Sequence, residues 1–180
     1  MAKFEAVKRF CDGDKVGVNL PIRATANSAG YDFVVSDRTL VPSYWNVMED
    51  LEDFTAKRIP YGIDSLKNIV KQTGLKPTLV PTGIKCKLDS DEYLQISVRS
   101  STPLNNWLIL ANGVGIIDAD YYGNESNDGE IFFQVINMSP VDIILQPGDK
   151  IGQGIIQKYV IVEDDAASGT RTGGFGSTSN

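Results

Sequence analysis

Along most of the chain, apolar and polar residues alternate in short stretches divided by turn residues, the pattern of β-strands with one buried face. Residues 1–20 predict two short strands, Phe4–Phe10 and Val16–Leu20, around the turn Cys11-Asp12-Gly13-Asp14. Small residues at 24–30 form a tight loop into a strand Tyr31–Val35. After Leu79 the alternation returns at 82–88, Glu92–Val98, Trp107–Ala111, Ile131–Asn137 and Val141–Leu145. A last strand, Ile151–Val162, follows the turn Gln146-Pro147-Gly148-Asp149. Many short strands with regular turn signals predict an all-β fold, a barrel or jelly-roll-like sandwich, rather than alternating α/β units.

Residues 43–76 break that pattern with a helical period. From Ser43 to Phe54 the apolar residues fall at 44, 47, 48, 51 and 54, one face of a helix, with Ser43 as N-cap and Lys57 and Arg58 near the C-terminus. Ile59-Pro60-Tyr61-Gly62 interrupts, and a second helix is expected from Asp64 to Thr73 with Gly74 as its stop. The segment reads as a helical hairpin packed on the surface or as an arm for a protein partner. From Glu163 the chain is polar and glycine-rich, which predicts mobility when nothing is bound.

Composition narrows the function classes. With 180 residues, 42% hydrophobic and 22% charged, the chain suits a single soluble domain with a real core. No apolar run approaches a membrane span, and Met1-Ala2-Lys3-Phe4-Glu5 lacks a signal-peptide core. Cys11 and Cys86 make neither a disulfide framework nor a metal cluster. The expected compartment is a reducing cytoplasm, a host's if the chain is viral. A net charge of −6 argues against general nucleic-acid binding. The absence of histidine removes Ser-His-Asp and Cys-His catalysis and histidine metal ligation. Chemistry must then rest on carboxylates, arginine, backbone amides or a metal brought by the substrate.

The most suggestive stretch is Ala111 to Gly123, where the apolar run Val114–Ile117 delivers Asp118 and Tyr121 onto a turn, with glycines at 113, 115 and 123. A carboxylate held at the edge of an apolar element can serve as a general base, or simply satisfy local backbone donors in a hairpin turn. Asp118, Asp120 and Gly123 partly mimic a calcium loop. Tyr122 and Gly129 stand where two ligands belong, which excludes it. Arg99-Ser100-Ser101 ends an alternating strand and is either an anion-binding set or an ordinary solvated strand end. Gly173-Gly174-Phe175-Gly176-Ser177-Thr178, with Arg171 beside it, is either a phosphate-wrapping loop or a plain tail, and is not a Walker loop. Turn chemistry explains Gly148-Asp149-Lys150, and Gln153 in an apolar strand is expected to be hydrogen-bonded.

Taken in order, these stretches resemble the five motifs of the homotrimeric dUTPases, the deoxyuridine triphosphate nucleotidohydrolases. The matching segments are Ala29-Gly30-Tyr31-Asp32-Phe33, Arg99-Ser100-Ser101, Gly115 to Gly123, Gly148 to Gln153, and Gly173 to Thr178. Leu20-Pro21-Ile22-Arg23-Ala24-Thr25 and Val80-Pro81-Thr82-Gly83-Ile84 match framework segments. The resemblance implies a jelly-roll-like distorted barrel over residues 1–165, carrying a helical insertion at about 43–76. Residues 166–180 would form an arm that closes over the active site.

The implied activity is hydrolysis of dUTP to dUMP and pyrophosphate in sites shared within a homotrimer, controlling dUTP and supplying dUMP. Asp118 would deprotonate the water attacking the α-phosphorus, and Tyr121 would pack under the deoxyribose. Asn112, with the extended backbone at Gly115 and Ile117, would read uracil. Arg99, Ser100, Ser101 and Gln153 would hold the phosphates, and Asp32 and Asp120 would support the site. Phe175 would stack on the base, and the amides at Gly176 and Ser177, with Arg171, would cover the phosphates. Mg²⁺ would ride on the triphosphate, with no metal site on the protein itself. In this chain Arg171 stands two residues before Gly173, and Asn124–Glu130 is longer and more polar than the family's usual connection. The rival readings are a dCTP deaminase of the same fold, which needs a glutamate beside the pyrimidine, and a regulatory homologue binding a protein through 43–76.

Overall fold

The computed structural model describes residues 1–13, 15–49, 70, 76–169, 171, 173 and 174. The second helix expected at Asp64–Thr73, most of the 43–76 segment, and Phe175, Gly176 and Ser177 lie outside the described residues.

Strands dominate, as the alternation predicts. They are β1 (Lys3–Ala6), β2 (Cys11–Asp12), β3 (Lys15–Val16), β4 (Ile22–Arg23), β5 (Tyr31–Val34), β6 (Thr39–Val41) and β7 (Thr78–Pro81). After these come β8 (Ile84–Lys87), β9 (Glu92–Val98), β10 (Leu108–Leu110), β11 (Gly115–Asp118), β12 (Phe132–Asn137), β13 (Ile143–Leu145) and β14 (Lys150–Lys158). The largest sheet runs β11-β9-β14-β5-β4, a second runs β10-β12-β7, and β1-β8, β13-β6 and β2-β3 pair off. The named strands all pair antiparallel. This jelly-roll-like arrangement of short strands is the expected architecture.

Two elements differ from the sequence reading at the N-terminus. The strand expected over Phe4–Phe10 stops at Ala6, because the Val7 amide turns to the Gly83 carbonyl (2.9 Å) and a 3-10 turn takes Lys8–Phe10. The strand expected over Val16–Leu20 is reduced to the two-residue β3. Ser43 does cap helix α1 (Tyr44–Glu49), its Oγ accepting from the Trp45 amide at 3.3 Å. A second helix, α2 (Ser101–Asn106), follows Ser100, carries Pro103 in its first turn where a missing N–H costs nothing, and ends at Trp107 in the left-handed region.

The core is one apolar cluster between the sheets, with Phe33, Val80, Leu94, Ile131, Phe133 and Val135 fully buried. Phe33 lies 5.5 Å from Phe4 and 5.7 Å from Phe133, in edge and tilted geometry. This aromatic set dictates the glycines of β14. A Cβ on Gly152 would sit 2.0 Å from Phe133 Cε1, and one on Gly154 would sit 2.8 Å from both Leu94 and Phe33. The period-two glycines therefore let the strand pass directly over the rings, while Gln153 between them points to the other face.

Gly152→Ala should overpack this contact and cost about 1–3 kcal/mol, read as a lower urea midpoint at unchanged m-value. An unchanged midpoint would contradict the packing argument.

Candidate active site

Antiparallel pairing places the candidate residues in two groups. Strand β11 pairs with β9 so that Gly115 faces Ile96 and Asp118 faces Tyr93. Strand β14 flanks the other edge of β9, with Gln153 opposite Ser97, and β5 continues the sheet with Asp32 opposite Gln153. Asp118 thus sits at the Tyr93 end of β9, while Arg99, Gln153 and Asp32 gather at the other. Tyr93 and Arg99 are separated by about 20 Å of extended chain.

The first group surrounds a cavity of about 180 Å³ at the seam between the two larger sheets. Residues 111–114 cross that seam, from β10, which pairs with β12, to β11, which pairs with β9. Asn112, Gly115, Ile117, Asp118 and Tyr121 line the cavity together with Ile96 and Leu110. Gly113 and Gly123 adopt φ of 71° and 73°, as the turn reading requires, whereas Gly115 is needed for its close approach to Ile96. Phe132 and Gln134, same-face neighbours on β12, form the opposite wall.

Asp118 ends β11 with its side chain 49% exposed, open enough to meet a ligand. Its present partner is Arg171, whose Nη2 donates to Asp118 Oδ2 while Nε donates to Asp120 Oδ1 at 2.7 Å. The same guanidinium lies over the Tyr121 ring, 5.9 Å from its centroid. Gly173 is buried, and Gly174 lies so close to Tyr121 that a Cβ would meet Cε2 at 2.8 Å. The start of the C-terminal arm therefore reaches the Asp118–Tyr121 turn. Tyr121 is buried, and burial raises its phenol pKa, with the Glu130 carboxylate adding to the effect.

The second group is held by Asp32, whose carboxylate is 11% exposed and bridges Arg99 Nε and Lys150 Nζ, each at 3.1 Å. Ser100 and Ser101 open α2 beside Arg99 with both residues exposed. The Gln153 side chain packs on Gly30, where a Cβ would lie 2.6 Å from Oε1. The glycine of Ala29-Gly30-Tyr31-Asp32 is there to leave room for that side chain.

A family model, dUTPase, matches residues 51–179. A deoxyuridine 5'-triphosphate nucleotidohydrolase of Lactococcus lactis is 30% identical over 177 residues, covering 97% of this chain and 95% of its own. The crystal structure of a dUTPase from Streptococcus mutans superposes with a TM-score of 0.66 at 30% identity, over 89% of this chain and 98% of that one. The chain belongs to the dUTPase family. A dUTPase from phage phi11 of S. aureus, at 12% identity and a TM-score of 0.61, shares the fold over 96% of this chain and 99% of its own.

Asp118 and Asp120 are engaged by one guanidinium and Asp32 by two cations, and no group of three metal-ligating side chains occurs among the described residues. Three residues near the site escaped the sequence reading: Lys150, which shares Asp32, and Asn127 and Glu130, which hold Tyr121. The signal for the last two was the long polar connection 124–130.

That connection is tied to the body of the protein by Asp128, which accepts from the Lys8 amide (2.8 Å) and Lys85 Nζ (2.9 Å). Burial pushes the Asp128 carboxyl up, but the Lys85 and Lys8 interactions outweigh it, and the net shift is below the ordinary value of 3.8. A carboxyl lowered on folding contributes stability above its unfolded pKa and loses it as pH falls through the folded value. The difference in Tm between the protein and Asp128→Asn should therefore be present at pH 7 and shrink below about pH 4. A difference that is constant with pH would refute the ion pair's contribution.

Proposed function

We propose that the chain hydrolyses dUTP to dUMP and pyrophosphate, with Asp118 as the general base. The observation that carries this reading is the Asp118–Tyr121 turn at the mouth of a cavity lined by Asn112 and by extended backbone. Uracil enters that cavity edge-on. It meets the Asn112 amide and the backbone of Gly115 and Ile117, and cytosine, with donor and acceptor exchanged, leaves buried groups unpaired. The Tyr121 ring lies under the deoxyribose. Asp118 accepts a proton from water, whose oxygen bonds the α-phosphorus as the bond to the bridging oxygen breaks and pyrophosphate departs. Mg²⁺ bound to the triphosphate supplies charge neutralisation along the phosphates.

Arg171 has a place in this scheme. On the free chain it neutralises Asp118, and the phosphates of an incoming nucleotide compete for the same guanidinium. Its transfer to phosphate frees the carboxylate to take a proton as the arm, with Phe175, Gly176 and Ser177, closes. The dCTP deaminase reading is disfavoured by Glu130, the glutamate at the cavity. Its carboxylate is turned to Arg9 Nη2 (2.7 Å) and the Gly83 amide (2.9 Å), away from proton transfer.

The separation of the two groups along β9 supports a site completed by further copies of the chain. Arg99, Ser100, Ser101 and Gln153 of one copy hold the phosphates of a nucleotide whose base and sugar rest on Asn112, Asp118 and Tyr121 of another, in a homotrimer.

Asp118→Asn should lower kcat by about a thousandfold or more while leaving dUTP binding within a few-fold, measured by pyrophosphate release and by calorimetry. Near-normal turnover would remove Asp118 from its role. Mixing Asp118→Asn with Arg99→Ala subunits, after unfolding and refolding together, should regain activity that neither variant has alone. No recovery in assemblies shown to be mixed would contradict shared sites.

A further inference from the structure

The connection 124–130 has a chemical contact with the site that its position in the chain does not announce. Asn127 Nδ2 donates to Tyr121 Oη at 2.6 Å, and Tyr121 Oη in turn donates to the Glu130 backbone carbonyl at 3.1 Å. The phenol oxygen is thus pinned by one donor and one acceptor, both from the same loop. Asn127 is itself fixed. Its Oδ1 accepts from the Gly129 amide at 3.1 Å, and its carbonyl accepts from the Glu130 amide at 3.1 Å.

The loop is in turn anchored on three sides. Asp128 binds Lys8 and Lys85, and the Glu130 carboxylate, 6% exposed, binds Arg9 and the Gly83 amide. Gly129, at φ 79°, presses on the turn after Tyr121, and a Cβ there would lie 2.6 Å from the Tyr121 carbonyl and 2.8 Å from the Gly123 amide. Loop and turn therefore form one packed unit.

We propose that Asn127 is a positioning residue for sugar selectivity, holding the Tyr121 ring at the height that admits a 2′-deoxyribose and refuses a ribose. This rests on the reading of the cavity as a deoxyuridine nucleotide site. Steric exclusion of a single hydroxyl works only against a wall that does not yield. A ring attached through Cβ alone can pivot, and a pivot of a few tenths of an ångström makes room for an oxygen. Fixing the far end of the ring, at Oη, removes that pivot. The Asn127 amide does this without touching the nucleotide. Selectivity is then set jointly by the aromatic residue and by the loop behind it, so a shorter or less polar loop would leave the same tyrosine a weaker gate.

The test compares kcat/KM for dUTP and UTP in the wild type, Asn127→Ala, Tyr121→Phe and the double variant. Asn127→Ala should lower the dUTP/UTP ratio about five- to tenfold, chiefly through a gain on UTP. Tyr121→Phe, which removes the same hydrogen bonds from the other end, should lower it similarly, and the double variant should fall no further than the lower single. The inference is overturned by an unchanged ratio in Asn127→Ala, by equal losses on both substrates, or by single effects that multiply in the double variant. If Asn127→Ala fails to fold, Tyr121→Phe decides alone, and an unchanged ratio there overturns the inference. Wild-type protein that turns over dUTP while these ratios stay flat sinks this inference only, and wild-type protein inert on dUTP sinks the functional reading with it.

Discussion

Strand β9 is paired along both edges, with β11 on one side and β14 on the other, and that double pairing fixes where every candidate group can stand. A one-residue slip in either ladder would turn Ile96 or Leu94 out of the core, so register is enforced by burial rather than by the polar residues. The cost is that a single chain cannot bring Asp118 to Arg99. Asp118, paired with Tyr93, and Arg99 lie at opposite ends of β9, and no side chain spans that gap. The same rigidity is what the proposal of sites shared between copies rests on.

Charge is handled locally rather than globally. A chain of net charge −6 is a poor host for a polyanion, yet its two groups of candidate residues each pair carboxylate with cation: Asp32 with Arg99 and Lys150, Asp118 and Asp120 with Arg171. Each pairing holds a guanidinium beside a carboxylate at partial exposure, Arg99 at 31% and Arg171 at 22%. In the proposed function the carboxylates orient the cations until the phosphates of the substrate take them over.

Much of this was legible in the sequence because the underlying rules are short-range. Period-two alternation located β9, β12 and β14, and Ser43 announced the cap of α1. The Gly-Tyr-Asp and Gly-to-Asp118 segments pointed to close approaches and turns that the fold contains. What escaped had long-range causes. The strand from Phe4 ends early because Gly83, far away in sequence, offers its carbonyl to Val7. Helix α2 hid behind an interrupted apolar pattern, although Ser100 and Pro103 are starting signals. That Gly30 makes room for the Gln153 side chain could not be read from either residue alone, because they meet only across the β5–β14 pairing. For Asn127 and Glu130 the long polar connection 124–130 was a signal that something happened there, but not of its link to Tyr121, which exists only once the loop folds back onto the turn.

The central claim is that this cavity, with Asp118 at its mouth, selects and cleaves a deoxyuridine triphosphate. Pyrophosphate release from dUTP, dCTP, dTTP and UTP, measured with Mg²⁺ and again with EDTA, addresses it most directly. The account predicts fast release from dUTP alone, abolished by EDTA. Ammonia from dCTP, or no product from any of the four, would contradict it.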